Sequence, residues 1–410
     1  MQELSMLIAL ILISLGAALS FRDTRWVFAT SMAALAIAIS TSWNAYTFFV
    51  VVIAALNIVS LDIMRKSQIK GVDYALVALM GVATIYVFFV NDFAMLLAMF
   101  IVVSVPTYLL VMVTDNKANV DVGIKYITFM VLATVLFIIG AILVVHSPHG
   151  GLLYVLGYTM LVLGLCIEIG VAPMHEWVPD VFAAADPIPI SIIASLAKFV
   201  PFVVAYKILV STTNHLTPFV TMILAILAAI SMFIGNIGAL TSRETSRILA
   251  YSTVANMGYI LATLAVIINF NWIYLALTGA MLQLIVNSMG KIGFFTAIKE
   301  GKGSTPLMYV LALSFIGLPP LMGFWSKLFI LTSLVYVGYL WLALVLVINS
   351  AISVPYYIRI ARNLGKGWVL SLANAIALIA VIIVLITIVP PDWFVEAMKG
   401  LSETLIIKGV

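Results

Sequence analysis

Residues Gly164–Asp180 read G-L-C-I-E-I-G-V-A-P-M-H-E-W-V-P-D and place a carboxylate, Glu168, in an apolar run that ends at Pro173. Proline cannot donate a backbone hydrogen bond, and its ring clashes with the preceding helical turn. The stretch therefore predicts a helix that breaks shortly after a buried charge. Because a charge among apolar residues is costly, Glu168 also indicates a functional site.

The composition of the whole chain favours lipid as its surroundings. Of 410 residues, 64% are hydrophobic and 9% are charged, and the mean hydropathy is +1.23. Soluble domains carry about 25% charged residues. One soluble core cannot bury so much apolar surface, which predicts an all-α polytopic membrane protein within a lipid bilayer. The net charge of +4 is then attributed to loops that set orientation.

The sequence lacks the usual signs of a bound cofactor or metal. Cys166 is its one cysteine, and no group of His, Cys, Asp or Glu has metal-ligand spacing. It also has no glycine-rich nucleotide loop and no basic nucleic-acid surface. We therefore expect no cofactor, no metal, no nucleic-acid partner and no directly bound soluble ligand.

Apolar runs of about 17–25 residues predict transmembrane helices. Fourteen spans are predicted, at 5–20, 26–41, 45–63, 73–90, 93–113, 124–145, 152–173, 190–211, 218–240, 247–268, 272–297, 307–337, 340–362 and 368–389. In the tail that follows, Trp393, Phe394, Met398 and Leu401 form the apolar side of a predicted interfacial helix.

Basic residues fall on alternate loops of this map. They are Arg22, Arg25, Arg65, Lys66, Lys70, Lys117, Arg243, Arg247, Lys299, Lys302, Arg359, Arg362 and Lys366. We call the side with these loops the basic face. The positive-inside rule places it in the cytoplasm, so both termini are expected to face outward from a prokaryotic inner or plasma membrane.

Four titratable residues lie deep in predicted spans: Glu168 in span 7, Lys198 in span 8, Lys291 in span 11 and Lys327 in span 12. Placing each at mid-bilayer costs about 2.5–3.5 kcal/mol. Two interpretations stay open. The residues form structural ion pairs, or they form a proton or ion relay in which lysines gain and lose charge beside a carboxylate. Several such residues on different helices favour the relay.

Two further basic side chains lie near helix ends. His175 follows Pro173 and either feeds a proton channel or caps the helix break; both interpretations stay open. Lys207 lies near the outer end of span 8 and is expected to reach the membrane surface with its long side chain.

A second proline-rich break suggests an internal repeat. Span 12 contains Pro319 and Pro320, and P-L-M-G-F-W at 320–325 resembles P-M-H-E-W at 173–177. Paired broken helices in two halves of a chain are typical of inverted repeats around a translocation site. We predict broken helices 7 and 12 in two inverted five-helix repeats, spans 4–8 and 9–13. The predicted segments are 1–72 (three helices), 73–211 and 218–362 (the repeats) and 368–410 (the last span and tail).

Three motifs resemble signatures of one known family. They are A-P-M-H-E-W-V-P-D-V-F-A-A-A-D-P-I-P at 172–189, S-R-I-L-A-Y-S-T-V-A-N-M-G-Y at 246–259 and L-S-F-I-G-L-P-P-L-M-G-F-W-S-K at 313–327. These motifs are similar to those of the antiporter-like membrane subunits of respiratory complex I. That family includes subunits of membrane-bound hydrogenases and of multisubunit sodium/proton antiporters. The resemblance is greatest to the N-type subunit of NADH-quinone oxidoreductase.

The resemblance implies a line of proton-carrying residues. Lys198 matches the family's span 8 lysine, Lys327 its span 12 lysine, and Lys291 the span 11 lysine of some relatives. In those relatives two histidines precede the span 11 lysine, at the positions of Gln283 and Asn287.

Two positions depart from the family pattern. The family's span 5 glutamate falls on Ile101, and its span 7 lysine falls on Glu168. The acid of the usual pair is therefore absent, and the base has become an acid. Our hypothesis is that Glu168 carries the carboxylate to span 7, where it pairs with Lys198.

The resulting expectation is a proton-translocating N-type subunit of a complex I-related, redox-driven membrane complex. Its partners are expected to include other membrane subunits, and partner subunits are expected to hold the flavin, iron–sulfur clusters or quinone, so any oxidoreductase activity belongs to the assembly. Two alternatives stay open. One is a subunit of a multisubunit sodium/proton antiporter, and the other is a structural spacer with a non-functional channel.

Overall fold

The chain is all-helical over the residues that the computed structural model describes: 2–20, 22–64, 69–115, 118–147, 149–368 and 370–407. One isolated backbone bridge joins Gly303 to Gly365. Arg65, Lys66 and Lys117, which the sequence places on the basic face, lie outside the described residues. The all-α prediction is confirmed.

The α-helices follow one another along the described chain without strands between them. They are α1 (Gln2–Leu19), α2 (Thr24–Thr41), α3 (Ala45–Ser60), α4 (Val72–Tyr86), α5 (Phe93–Leu110), α6 (Val120–His146), α7 (Leu152–Ile169), α8 (Trp177–Ala184), α9 (Pro187–Ser195), α10 (Phe199–Ser211), α11 (Thr217–Thr241), α12 (Thr245–Ala262), α13 (Ile273–Glu300), α14 (Thr305–Ile316), α15 (Met322–Tyr336), α16 (Leu340–Leu364), α17 (Leu372–Leu385) and α18 (Asp392–Ser402).

Ten helical segments of the described chain are long and apolar enough to cross a membrane, and the bent pair α17–α18 raises the number to eleven. Shorter apolar helices occur at Glu3–Leu19, Val72–Tyr86, Thr305–Ile316 and Met322–Tyr336. They fall in predicted spans 1, 4 and 12. Each of the fourteen predicted spans therefore contains helix, and the number that crosses the membrane stays a prediction.

Polar side chains fix where several helices begin. The side chain of Asn44 accepts a hydrogen bond from the N–H of Tyr46 at 3.0 Å, and Asp92 accepts one from Met95 at 2.8 Å. The first N–H groups of a helix have no partner within the helix, so these side chains satisfy them. Helices α3 and α5 begin at such caps.

The helices differ in how much of their surface lies inside the protein. The segment that contains α9 and α10 is wholly buried over its most apolar window, and those that contain α12 and α13 are 89% and 94% buried. The same share is 33% for α6 and 39% for α16. The first group therefore forms the interior, and it contains both Lys198 and Lys291.

Glycine, rather than proline, ends the helices at the two predicted breaks. Helix α7 is followed by Gly170 with φ of +79°, and α14 by Gly317 with φ of +90°. Glycine adopts this left-handed conformation without steric cost, and it turns the chain out of the helix. Pro173, Pro319 and Pro320 lie in the connections that follow. The first break therefore begins before the proline that predicted it.

Span 8, predicted to be continuous, is also interrupted. Helix α9 ends at Ser195, a 3-10 turn covers Leu196–Lys198, and α10 begins at Phe199. Ser195 has φ of −105° and ψ of −81°, which departs from helical geometry. Lys198 thus lies at a break rather than inside a regular helix.

The C-terminal helix α18 turns 91° from the segment before it. Phe394, Met398 and Leu401 are buried, and the Phe394 ring centroid lies 5.8 Å from that of Phe49. Phe394 of the predicted apolar side therefore packs on α3, and the position of this helix in the membrane interface stays a prediction.

Candidate functional site

The four deep charges all lie inside the protein. Glu168 is 5% exposed, Lys198 2%, Lys291 0% and Lys327 7%. Side chains turned to lipid would be exposed on the protein surface, as Ile101 is at 40%. The sequence-based placement of these residues in the interior agrees with the structure.

Lys198 caps the end of broken helix α7. Its Nζ donates a hydrogen bond of 2.8 Å to the backbone oxygen of Glu168. The same Nζ lies 5.0 Å from the centroid of the Trp177 ring. The last carbonyls of a helix have no partner within it and carry partial negative charge, so they attract an ammonium group. Because α7 ends here, the backbone oxygen of Glu168 is free to accept the hydrogen bond from Lys198.

The Glu168 carboxylate points to a different neighbour. Its Oε1 accepts a hydrogen bond of 2.5 Å from Ser104 Oγ on α5. Its Oε2 is buried and has no hydrogen-bond partner among the described residues. The predicted pair of Glu168 and Lys198 is therefore adjacent but joined through the main chain. The expected contact between carboxylate and ammonium is absent from the described ion pairs.

The residue at the position of the family's span 5 acid, Ile101, faces away from Glu168, and Ser104 provides the contact from α5 instead. Ile101 is 40% exposed, whereas Ser104, about one helical turn later, is 1% exposed. The inward-facing residue on this part of α5 is thus the serine. Glu168 reaches α5 through that hydroxyl.

The break in span 8 is tied to α13 by an amide. Asn287 Nδ2 donates a hydrogen bond of 2.8 Å to the backbone oxygen of Ala194, just before the 3-10 turn. Asn57 Nδ2 donates to Ser195 Oγ at 2.9 Å. Irregular backbone inside a membrane protein needs such internal partners. Sequence reasoning missed this break, although Pro201, three residues after Lys198, signals it.

Lys291 is held by α12. Its Nζ donates to the backbone oxygen of Leu249 and to Ser252 Oγ, both at 2.5 Å. It also lies 5.6 Å from the Phe315 ring centroid. All of these partners are neutral, so within the described residues a charged Lys291 has no opposite charge in direct contact.

A chain of side-chain amides leads on from this lysine. Asn256 Nδ2 donates to the Ser252 backbone oxygen at 2.6 Å, and Gln283 Nε2 donates to Asn256 Oδ1 at 2.5 Å. Ser326 Oγ then donates to Gln283 Oε1 at 2.5 Å. We call Ser252, Asn256, Gln283 and Ser326 the amide chain. It connects Lys291 to the residue beside Lys327.

Lys327 caps the other broken helix. Its Nζ donates to the backbone oxygens of Phe315 at 2.8 Å and Ile316 at 2.9 Å, the last residues of α14. It lies 5.2 Å from the Tyr259 ring centroid. Lys327 thus caps the end of α14 in the same way that Lys198 caps the end of α7.

His175 and Lys207 lie apart from these contacts. His175 is half-buried in the connection between α7 and α8, with Nδ1 3.3 Å from the Pro173 oxygen. Burial lowers the pKa of His175, against weaker opposite effects of that oxygen and of Glu176. Lys207 does not reach the surface: it is fully buried and donates to the oxygens of Phe88, Val90 and the Asn91 side chain.

No cluster of three or more His, Cys, Asp or Glu residues that could hold a metal occurs within the described residues. The site therefore consists of lysines, one carboxylate, hydroxyls and amides. The amines and the carboxylate can bind protons, the hydroxyls can pass them, and the amides can hydrogen-bond to these groups.

A family profile described as NADH:quinone oxidoreductase/Mrp antiporter, TM, matches residues 90–353. The chain is 28% identical over 304 residues to NADH-quinone oxidoreductase subunit N of Wolbachia sp. subsp. Brugia malayi. That alignment covers 64% of this chain and 63% of the relative, so the chain spans less than two thirds of that relative's length.

Solved structures show the same fold. One is respiratory complex I from Thermus thermophilus with bound Aureothin, at a TM-score of 0.78 and 21% identity, covering 97% of this chain and 99% of that one. Another is the Mrp complex from Dietzia sp. DQ12-45-1b, at 0.83 and 17%, covering 98% and 97%. At these identities the likeness concerns the fold alone.

Proposed function

Because the chain belongs to the NADH:quinone oxidoreductase/Mrp antiporter family, we propose that it moves protons along Glu168, Lys198, Lys291 and Lys327. In this proposal it is an antiporter-like, N-type subunit of a complex I-related assembly. The assembly sits in a prokaryotic inner membrane with the basic face in the cytoplasm, and both termini lie outside.

One observation carries the proposal: the amide chain that joins Lys291 to the neighbourhood of Lys327. No ion pair in the described part of the chain includes Lys198, Lys291 or Lys327. A buried lysine held by neutral oxygens is not fixed in its charged form by a counter-ion. Linked hydroxyls and amides beside such lysines favour proton passage over a purely structural ion-pair network.

The energy source is proposed to lie in neighbouring subunits. Redox chemistry at their flavin, iron–sulfur clusters or quinone would drive the proton line through electrostatic coupling. This chain supplies no such group itself in our proposal. A subunit of a multisubunit sodium/proton antiporter is the second candidate, because the family description and the fold of the Mrp complex include that class.

Two similar contacts support the proposed repeats. In each, which we call a clamp, a basic side chain donates hydrogen bonds to backbone oxygens at the end of another helix. Lys207 of α10 donates to oxygens just after α4, and Arg359 of α16 donates to the last oxygens of α11 at 2.9 and 3.0 Å. In each proposed five-helix repeat, a cation on the last span thus caps the end of the first span. This similarity favours repeats over 73–211 and 218–362 within fourteen spans.

Reconstituted vesicles test the function. The complex that contains this chain is purified with its partners, and proton movement is followed with a pH-sensitive dye for the native chain and for Lys198→Ala. We expect Lys198→Ala to lower the number of protons moved. Lys302→Ala, at an exposed position, should leave that number unchanged. Unchanged proton stoichiometry in Lys198→Ala would indicate a spacer, and copurified flavin or iron–sulfur subunits distinguish the redox complex from the antiporter.

A further inference from the structure

A file of hydroxyl groups approaches Glu168 from α5 and α6. Tyr126 OH donates to Thr107 Oγ1 at 3.0 Å, and Thr107 Oγ1 donates to the backbone oxygen of Ser104 at 2.6 Å. Ser104 Oγ in turn donates to Glu168 Oε1 at 2.5 Å. Ser104 and Thr107 come from the S-V-P-T-Y motif at 104–108. The line of proton-carrying residues described above uses none of these hydroxyls.

The Tyr126 end of this file lies near the basic face. A surface cavity of about 490 Å³ opens there, lined by Val122, Lys125 and Asp180 among others. Val122 and Tyr126 are four residues apart on α6, so they share one face of the helix about one turn apart. Tyr126 itself is 1% exposed. Tyr126 is therefore about one helical turn farther along α6 than Val122, which lines the cavity.

Tyr126 also lies against the site on its inner side. Its ring centroid is 5.3 Å from that of Trp177, and the Trp177 ring lies under Lys198 Nζ. The Oε2 of Glu168 has no hydrogen-bond partner in the described structure, so the carboxylate retains a free acceptor. A proton that reaches Ser104 thus meets a carboxylate able to take it.

We propose that Tyr126, Thr107 and Ser104 form a hydroxyl relay that carries protons from this basic-face cavity to Glu168. The relay rests on the proposed function. Each hydroxyl gives its proton to the next oxygen and receives one from the cavity side, so one proton arrives at Glu168 and every hydroxyl is restored. Thr107 must first rotate its hydroxyl from the Ser104 backbone oxygen to Ser104 Oγ. Water connects the cavity to Tyr126 over a distance of about one helical turn.

Thr107 offers a matched pair of variants. Thr107→Val keeps the shape and removes the hydroxyl, whereas Thr107→Ser keeps the hydroxyl and removes a methyl group. In vesicles that contain the whole complex, we expect Thr107→Val to slow proton uptake from the basic face about a hundredfold, the lower end of the effect of a positioned proton donor. Thr107→Ser should restore the native rate, which a packing role for the methyl group would not produce.

Tyrosine variants give the second comparison. Tyr126→Phe removes the relay hydroxyl, while Tyr108→Phe removes a hydroxyl that contacts Thr134 at 3.2 Å, off the relay. The relay predicts slow uptake for Tyr126→Phe and a native rate for Tyr108→Phe. Equal rates in the two tyrosine variants, whether slow or native, overturn the relay. If Glu168→Gln and Lys198→Ala still reduce pumping in the same vesicles, only the relay fails; if those variants pump normally, the proposed function fails.

Discussion

Lys198 and Lys327 are held alike, at the two broken helices. Lys198 donates to the last turn of α7, and Lys327 donates to the last residues of α14. Each ammonium group also lies about 5 Å from an aromatic ring, Trp177 in one case and Tyr259 in the other. A helix that ends inside the membrane leaves carbonyl oxygens without partners, and a lysine satisfies them in both halves.

The surroundings of the two lysines differ. Beside Lys198 is a carboxylate, Glu168, with one oxygen bonded to Ser104 and the other unpaired. Beside Lys327 there is no carboxylate among its described partners, and Ser326 instead begins the amide chain toward Lys291. The first region therefore contains a carboxylate beside its lysine, and the second contains a row of neutral hydrogen-bonded groups.

This difference distinguishes the structural role of the lysines, which is helix capping, from the proposed role in proton transfer. Capping alone explains why a lysine is buried at each break, so burial of Lys198 or Lys327 does not by itself indicate proton transfer. Glu168 and the amide chain contribute nothing to capping α7 or α14 through their side chains. They are therefore the features whose removal should affect pumping while leaving the breaks intact.

Among variants that leave the capping lysines unchanged, the largest effect is expected from Glu168→Gln. The amide keeps the size and can still accept from Ser104, but it cannot take up a proton, so the rate of proton movement should fall about a hundredfold. Proton uptake by reconstituted vesicles measures it. Glu176→Gln, an exposed carboxylate at the same break, is the matched control. Normal pumping by Glu168→Gln would remove the asymmetry between the two regions.

A smaller effect is expected from Gln283→Leu. The change interrupts the amide chain between Asn256 and Ser326, and losing about 1.4 kcal/mol of hydrogen bonding corresponds to about a tenfold slower step. The same vesicle assay measures it. Thr278→Val is the control on α13, because in the described structure that hydroxyl donates to its own helix, at the backbone oxygen of Tyr274. If both variants pumped equally, the chain would be a packing feature.

The smallest effect on pumping is expected from the clamps outside the site. Lys207→Met leaves the Phe88 oxygen without its donor and should cost about 1–3 kcal/mol of stability, with Arg359→Met acting similarly on α11. Thermal unfolding of the purified chain measures the loss. Pumping per assembled chain should stay at the native value in both. A stable Lys207→Met protein that no longer pumped would instead add Lys207 to the proton line.

The sequence predicted the deep charges because buried titratable residues stand out in apolar runs. Glu168, Lys198, Lys291 and Lys327 were identified in this way, and so was the break after Glu168. The contact between Lys198 and the Glu168 main chain could not be predicted, because it depends on the helix ending at Gly170 rather than at Pro173. A shift of a few residues decides which oxygen is left without a partner.

Contacts among several helices were also beyond sequence reasoning. The amide chain joins α12, α13 and α15, and only their packing brings Asn256, Gln283 and Ser326 together. The tail illustrates the same limit. Three of the four predicted apolar residues of α18 are buried, but the packing of this helix on Phe49 depends on how the chain turns after α17.

The central claim is that Lys198 carries a proton as well as capping α7. Lys198→Arg tests it most directly, because arginine keeps the charge and the donors that cap the helix but does not release its proton. The measurement is proton uptake by vesicles that contain the whole complex, alongside the amount of assembled chain. We predict normal assembly and no proton movement through this chain. Normal assembly with native proton movement would show that Lys198 serves only as a cap.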